Sequence, residues 1–321
     1  MRTITAAAVA LLLLLAACSS TRTGVEPSTS VARAGSGTVV LGSLQTPDGR
    51  TRTYRVYVPS DLPTTPVPLL VALHGGTGWG AQFEINSGFD RLAQADSFVV
   101  VYPDGVGTGA NESIGRTWNG GGCCGAASRN DVDDVGFVRM LLDRLEAQYA
   151  IDPSRVFAAG HSNGGILAYR LACELSDRIV AVGLQSGTME IPSCRPAHAV
   201  SMLHIHGTAD TNVPIDGGRG TDSIANVAFA SPRTSISSFA TAVGCGAGTT
   251  AVDAANHDLT VTNWSGCPTG VDVRFVAVTG APHAWMGHTS SNPAATPAYQ
   301  GLDSSVAIVT FLLQHPRPSA P

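Results

Sequence analysis

The chain of 321 residues contains no lysine, and all 19 of its basic residues are arginines. This absence excludes chemistry that needs a lysine side chain, namely a Schiff base, a pyridoxal phosphate linkage, a Ser-Lys dyad or the lysine of a phosphate-binding P-loop. The formal net charge of −5 gives no reason to expect a nucleic acid as a partner. Any catalysis is therefore left to Ser, His, Asp, Glu, Arg or Cys side chains.

The sequence also lacks a C-x2-C pair, although it contains seven cysteines. A structural zinc site is therefore not expected, and we expect neither a metal nor a cofactor. His204 and His206 lie two residues apart on a predicted strand and could suggest a metal pair. No further ligand follows them at the spacing that a metal-dependent hydrolase needs. We therefore expect them to be packed or hydrogen-bonded.

The sequence has no apolar run long enough to span a bilayer comfortably, and the one at the N-terminus covers only residues 4–15. It follows a short cationic start and ends in Leu-Ala-Ala-Cys, which is typical of a bacterial lipoprotein signal. We therefore predict a signal peptide at residues 1–17, lipidation of Cys18, export, and a membrane anchor at the cell envelope. An ordinary secretory signal is the alternative. Residues 18–36 are rich in Ser, Thr, Gly and Pro and predict a flexible tether.

Export makes disulfides plausible for the six remaining cysteines. Proximity in the sequence favours Cys173–Cys194 and Cys245–Cys267. The adjacent Cys123 and Cys124 would then pair with each other, and crossed pairing is the alternative.

Short apolar segments alternate with helical patterns over residues 37–321, which predicts a single α/β domain. The pattern favours a mostly parallel sheet with helices on both faces. A Pro-Asp-Gly turn between two strand-like segments, 38–44 and 53–58, predicts a leading antiparallel hairpin. Two long segments without periodicity, 103–132 and 212–230, interrupt this pattern and are predicted to shape the substrate pocket.

The segment GHSNGG places Ser162 in a G-x-S-x-G pattern between a predicted strand, 155–159, and a predicted helix, 166–173. That context is typical of a nucleophile elbow on an α/β-hydrolase sheet. The order nucleophile, acid, histidine then predicts Asp210 and His283, which each follow a later strand. Asp104 precedes the nucleophile and so has the wrong order, whereas His288 lies further from the strand end.

The oxyanion of an acyl-transfer reaction needs preorganised N–H donors. We predict the backbone N–H of Asn163 as one donor and that of Gly76 as the other, with Thr77 as the alternative to Gly76. Three tryptophans flank the predicted loops and are interpreted as lining the substrate cleft. They are Trp79, Trp118 and Trp285.

Six motifs together resemble the extracellular polyhydroxybutyrate depolymerase and feruloyl esterase-like family of α/β-hydrolases, and within it the bacterial lipoprotein esterases. They are HGGTG, WNGGGCCG, DDVGF, AGHSNGG, HGTADTNVPIDGG and PHAW. The resemblance implies an esterase with Ser162 as nucleophile, Asp210 as acid and His283 as base, and it implies the pairs Cys173–Cys194 and Cys245–Cys267. Many relatives continue the histidine motif with Trp-Pro-Gly where this chain has Trp-Met-Gly, which leaves the substrate class open.

The sequence therefore predicts an exported serine esterase that hydrolyses a polyhydroxyalkanoate, a feruloyl or acetyl polysaccharide, or a synthetic polyester through an acyl-enzyme. Its partners would be that ester, which can be polymeric, and a membrane. Two alternatives are a catalytically silent surface lipoprotein that binds a polymer or host ligand, and a serine peptidase on the same fold.

Overall fold

The computed structural model describes residues 30–32, 37–290 and 296–317. The predicted signal peptide, Cys18 and most of the predicted tether lie outside the described residues. Among the residues that are described, no helix has the length and apolar character needed to cross a bilayer.

The strands and helices alternate along the chain as the apolar pattern predicts. The strands are β1 (Ser30–Ala32), β2 (Thr38–Gln45), β3 (Thr51–Val58), β4 (Val67–Leu73), β5 (Val99–Pro103), β6 (Val106–Thr108), β7 (Ile114–Thr117), β8 (Ile151–His161), β9 (Ala181–Gln185), β10 (Ser201–Gly207), β11 (Gly248–Val252), β12 (Leu259–Trp264) and β13 (Val273–Val278). The helices are α1 (Gly80–Ser87), α2 (Phe89–Asp96), α3 (Gly125–Arg129), α4 (Asp134–Glu146), α5 (Asn163–Glu174), α6 (Pro232–Ala242) and α7 (Ser304–Gln314).

In the described residues, eleven strands form one sheet in the order β1-β2-β3-β5-β4-β8-β9-β10-β13-β12-β11. The central strands, from β5 to β13 in this order, are parallel. The strands β2 and β3 form the leading antiparallel hairpin, and β3 joins β5 antiparallel. This mixed and mostly parallel sheet confirms the predicted fold class.

Helices cover both faces of the sheet because the central strands are apolar on both sides. In β4, Leu69, Val71 and Leu73 pack in the core with α4, α5 and α6. The alternate residues Leu70 and Ala72 pack in the core with α1, α2 and α7. Every residue of β4 is buried, as expected for a central parallel strand.

A short strand lies within the predicted tether. Ser30–Ala32 pairs antiparallel with Thr38–Val40 and so extends the sheet by a short edge strand. Main-chain hydrogen bonding to an open sheet edge does not require an apolar side-chain pattern. The composition of this segment therefore did not reveal the strand.

Three disulfides join the six cysteines of the described chain. They are Cys123–Cys124, Cys173–Cys194 and Cys245–Cys267, the pairs that proximity in the sequence favours. The last of them closes the antiparallel pair β11–β12, which lies at the edge of the sheet beyond β13.

Residues 103–132 are not the structureless insertion that their composition suggested. They hold β6 and β7, which pair antiparallel as a small separate ribbon, and the short helix α3. Glycines break the side-chain pattern of these short elements, so that periodicity could not detect them.

Candidate active site

The carboxyl ends of four parallel strands bring the predicted functional residues together. Gly76 follows β4, Ser162 follows β8, Asp210 follows β10, and His283 follows β13. Loops at the carboxyl edge of a parallel sheet are the usual position of a ligand site in α/β proteins.

Ser162 occupies the sharp turn between β8 and α5. Its backbone has φ 55° and ψ −122°, which is unusual for a residue with a side chain. Only glycines fit on either side, because a Cβ at Gly160 would overlap the Gly164 carbonyl and one at Gly164 would overlap the Leu73 carbonyl. The Ser162 N–H donates to the Gln185 carbonyl at 2.9 Å. The turn therefore has the geometry of a nucleophile elbow.

A continuous series of hydrogen bonds joins the three predicted catalytic residues. The Ser162 hydroxyl donates to His283 Nε2, with 2.9 Å between the heavy atoms. His283 Nδ1 donates to the Asp210 carboxylate, at 2.8 Å from Oδ2 and 3.0 Å from Oδ1. In this arrangement Nε2 carries the lone pair that accepts the serine proton.

The Asp210 carboxylate is held in a fixed orientation at the base of this series. Its side chain is buried, and Oδ1 accepts the backbone N–H groups of Asn212 at 3.0 Å and Val213 at 2.8 Å. Burial alone would raise the pKa of Asp210, but the hydrogen bond from His283 and the attraction of His283 and His206 outweigh it and lower the pKa to about 2. The carboxylate is therefore ionised at neutral pH.

Gly76 and Asn163, the two predicted oxyanion donors, lie close together beside Ser162. A Cβ built on Gly76 would lie 3.7 Å from the Asn163 Cβ. Asn163 opens α5, where the first N–H groups have no partner within the helix. Thr77 is unsuitable as a donor, because its N–H already donates to the Arg116 carbonyl at 2.7 Å. The pair Gly76 and Asn163 is therefore the candidate oxyanion hole.

Trp118 does not line the cleft, contrary to the sequence interpretation. The side chain is fully buried, and its indole N–H donates to the His74 carbonyl at 2.9 Å. The Asn163 side chain fixes the backbone of the loop at Trp118, since its Oδ1 accepts the Trp118 N–H and its Nδ2 donates to the Trp118 carbonyl. Trp118 thus positions the glycine-rich loop and is out of reach of a substrate.

The two other tryptophans differ in position. Trp79 is 45% exposed and is the N-cap residue of α1. Two clefts border His283, one of about 260 Å³ and one of about 470 Å³, and Trp79 lines neither of them. Trp285 is among the residues that line the smaller cleft, but it is mostly buried and packs edge-to-face against Phe83 and Phe89. The structure therefore brings only Trp285 to a cleft wall.

Two residues that the sequence analysis missed hold the loop of His283. His161 Nε2 donates to the His283 carbonyl at 2.7 Å, and Gln185 Nε2 donates to the next carbonyl, that of Ala284, at 2.9 Å. The Gln185 oxygen in turn accepts the Met286 N–H and the Ser304 hydroxyl. Burial and the nearby His283 lower the pKa of His161 to about 3, so that it is a neutral neighbour of His283. The sequence feature that could have indicated Gln185 is its position as a lone polar residue at the end of the apolar strand β9.

His204 and His206 are hydrogen-bonded within the core, as expected. The Tyr169 hydroxyl donates to His204 Nδ1 at 2.8 Å, His204 Nε2 donates to His206 Nδ1 at 3.1 Å, and His206 Nε2 donates to the Val213 carbonyl at 2.8 Å. Each ring nitrogen therefore has a protein partner. No cluster of His, Cys, Asp or Glu in the described residues could hold a metal ion.

We expect the free energy of unfolding to fall steeply below pH 6.5, because four histidines are held in the neutral form. Burial is the main cause that lowers the pKa of His74 and His206 to about 4, that of His161 to about 3 and that of His204 well below its usual value. Between pH 4 and 6.5 the unfolded chain therefore binds more protons than the folded one. The loss is about 1.4 kcal/mol per pH unit for each histidine, or about 5.5 kcal/mol per unit for the four. Urea unfolding at several pH values measures this slope.

The matched control for this slope is the exposed His257. His204→Gln should reduce the slope by about one quarter, whereas His257→Gln, at an exposed position, should leave it unchanged. The buried Asp134, whose pKa is raised by burial, acts in the opposite direction as the pH falls. A wild-type protein whose stability does not change between pH 4.5 and 6.5 would contradict the neutral burial of these rings.

The sequence matches a family and several relatives of known class. A family model described as "Putative esterase" matches residues 46–260, two thirds of the chain. A relative named "Putative esterase NocK", from Nocardia uniformis subsp. tsuyamanensis, is 35% identical over 53% of this chain and 48% of its own length. Feruloyl esterase B from Piromyces equi is 33% identical over 47% of this chain and 27% of its own length. The chain thus spans half or less of the length of these curated relatives.

A comparison of structures agrees on the fold. An acetyl xylan esterase from Aspergillus awamori superposes with a TM-score of 0.52 at 18% identity, covering 76% of this chain and 93% of that one. At this identity the likeness shows a common α/β-hydrolase fold and no more. With the family match over residues 46–260, it confirms the predicted resemblance to esterases of this fold. The chain therefore belongs to the esterase family of α/β-hydrolases.

Proposed function

We propose that this chain is an exported carboxylic ester hydrolase with Ser162 as nucleophile, His283 as general base and acid, and Asp210 as the residue that orients His283. The observation that carries the proposal is the continuous hydrogen-bond series from the Ser162 hydroxyl through His283 to the buried Asp210 carboxylate. The membership in the esterase family supports the same reaction class.

In the proposed reaction, Ser162 Oγ bonds to the ester carbonyl carbon while its proton passes to His283 Nε2. The carbonyl oxygen becomes an oxyanion and accepts the N–H groups of Gly76 and Asn163. The bond from the carbonyl carbon to the alcohol oxygen then breaks, and His283 returns the proton to the leaving alkoxide. Water next attacks the acyl-enzyme with His283 as base, which releases the acid and restores the Ser162 hydroxyl.

The substrate we infer is a polymeric ester, such as a feruloyl polysaccharide or a polyhydroxyalkanoate. A cleft of about 260 Å³ beside His283 is lined by polar side chains, among them Gln82, Asn86 and His288. Such groups can hydrogen-bond the hydroxyl or ester oxygens of a polymer. Export and an anchor on Cys18 rest on the N-terminal sequence, and would place the enzyme where polymers are accessible.

A fluorophosphonate probe tests the proposed nucleophile. Because the probe phosphonylates a serine oxygen that is activated by a neighbouring base, with loss of fluoride, it should label the folded protein once, with the adduct on the peptide that contains Ser162. Protein unfolded in urea is the control and should not react. A folded protein that does not react would support a catalytically silent binding protein instead. With labelling established, methyl ferulate, acetylated xylan and polyhydroxybutyrate film distinguish the substrate classes.

A further inference from the structure

The space around Ser162 divides into two arms. Residues 75–77, His161, Asn212 and His283 line both of them. The smaller arm, about 260 Å³, continues along residues 284–290. The larger arm, about 470 Å³, is the one that Ser162 and Asn163 line.

The chemistry of the proposed reaction assigns a role to each arm. The leaving alkoxide must lie against His283 Nε2, which returns its proton, while the carbonyl oxygen lies against the Gly76 and Asn163 N–H groups. His283 borders both arms, whereas Ser162 and Asn163 line only the larger one. The acyl group that is bonded to Ser162 is therefore assigned to the larger arm, and the alcohol to the smaller arm along the His283 loop.

The larger arm is apolar at its base. Cys124, Ile166, Val213 and Phe229 are buried there in one cluster together with Cys123. Two more apolar side chains, those of Ile114 and Ile224, are 66% and 76% exposed at the opening. An acyl chain would remove these apolar surfaces from water, which favours its binding there.

Arg129 differs from the rest of this mostly apolar lining in its charge. Within the described residues, it is the only arginine, aspartate or glutamate that lines the larger arm, and none of the ion pairs found there includes it. It is exposed at the end of α3, one turn beyond Cys124. The nearest acidic residue in the sequence, Asp131, accepts a hydrogen bond from Asn119. The Arg129 guanidinium thus places a positive charge at the mostly apolar site assigned to the acyl chain, and no carboxylate in the lining neutralises it.

We propose that Arg129 makes the enzyme prefer esters whose acyl chain carries a carboxylate at its far end. This inference rests on the proposed function, since it takes Ser162 as the nucleophile. The apolar base of the arm would contact the methylene groups, and the guanidinium would pair with the terminal carboxylate. An uncharged acyl chain of the same length gains only the apolar contact.

Two esters of equal acyl length test the preference: the mono-4-nitrophenyl ester of glutaric acid and 4-nitrophenyl valerate. The measured quantity is the ratio of kcat/KM for the glutarate to kcat/KM for the valerate. This ratio should be about three- to fivefold lower in Arg129→Gln than in the wild type, the size expected for a partly exposed ion pair. The valerate value itself should change less than twofold. Arg129→Glu should lower the ratio further, and 1 M salt should lower it in the wild type but not in Arg129→Gln.

The control is Arg139→Gln, which removes the same charge from the outer face of α4, where Arg139 pairs with Asp177. It should leave the ratio unchanged. A ratio that is the same in the wild type and both Arg129 variants would overturn the inference and leave the esterase proposal intact. A wild type that hydrolyses neither ester would overturn both.

Discussion

Replacing Ser162 with alanine is expected to lower kcat for a 4-nitrophenyl ester by about 10⁶-fold, the loss found when the nucleophile of such a system is removed. The physical reason is that no other hydroxyl hydrogen-bonds to His283 Nε2 in the described structure. The fold should not change, because the Ser162 N–H bond to the Gln185 carbonyl does not depend on the hydroxyl. Steady-state hydrolysis measures the effect, and circular dichroism checks the fold.

The matched control for this variant is Ser223→Ala, a serine that lines the same cleft and makes no contact with His283. Its kcat should stay within about threefold of the wild type, as for a surface substitution away from the reacting atoms. If Ser162→Ala keeps more than a hundredth of the wild-type rate, Ser162 is not the nucleophile. The esterase mechanism proposed above would then be wrong.

Asp210→Asn should lower kcat by about 10⁴-fold without displacing the side chain, because it changes the tautomer of His283. The N–H groups of Asn212 and Val213 both donate to the Oδ1 position, so that the amide oxygen must occupy it. The amide NH₂ then replaces Oδ2, which faces His283 Nδ1 at 2.8 Å in the wild type. His283 must accept there and carry its proton on Nε2, where it can no longer take the proton of Ser162. The pre-steady-state acylation rate reports this step.

Asp104→Asn is the control, since Asp104 also follows a strand and was the competing acid in the sequence. It accepts the Gly80 N–H and the Thr53 hydroxyl and makes no contact with His283. We expect some loss of stability but a kcat within about threefold of the wild type. Equal losses of kcat in the two variants would contradict the assignment of Asp210.

The sequence predicted the parts of this molecule that are local or ordered along the chain. The apolar runs predicted the parallel strands because a strand covered on both faces must be apolar throughout, as β4 is. The glycines at 160 and 164 predicted the elbow because no side chain fits beside that turn. The chain order of Ser162, Asp210 and His283 then predicted their meeting, because strands in a parallel sheet end at one edge.

Within the candidate site, the predictions that failed concerned the direction in which a single group points. Trp118 and Trp79 both lie near glycine-rich loops, yet one turns into the core and the other lies outside both clefts. The N–H of Thr77 is adjacent to that of Gly76 but donates to Arg116 instead. Neither outcome can be predicted from composition or spacing, since each depends on which partner is within about 3 Å in the folded chain.

By itself, therefore, the sequence determined the fold class, the elbow and the identity of the residues proposed for catalysis, because these follow from short-range sterics and strand order. Only the tertiary structure decided what holds those residues and what surrounds them. The bonds from His161 and Gln185 to the His283 loop join residues more than 90 positions apart. The division of the cleft into two arms likewise assembles loops from five regions of the chain. Hydrogen bonds and packing act over a few ångströms, and only folding brings such distant segments that close.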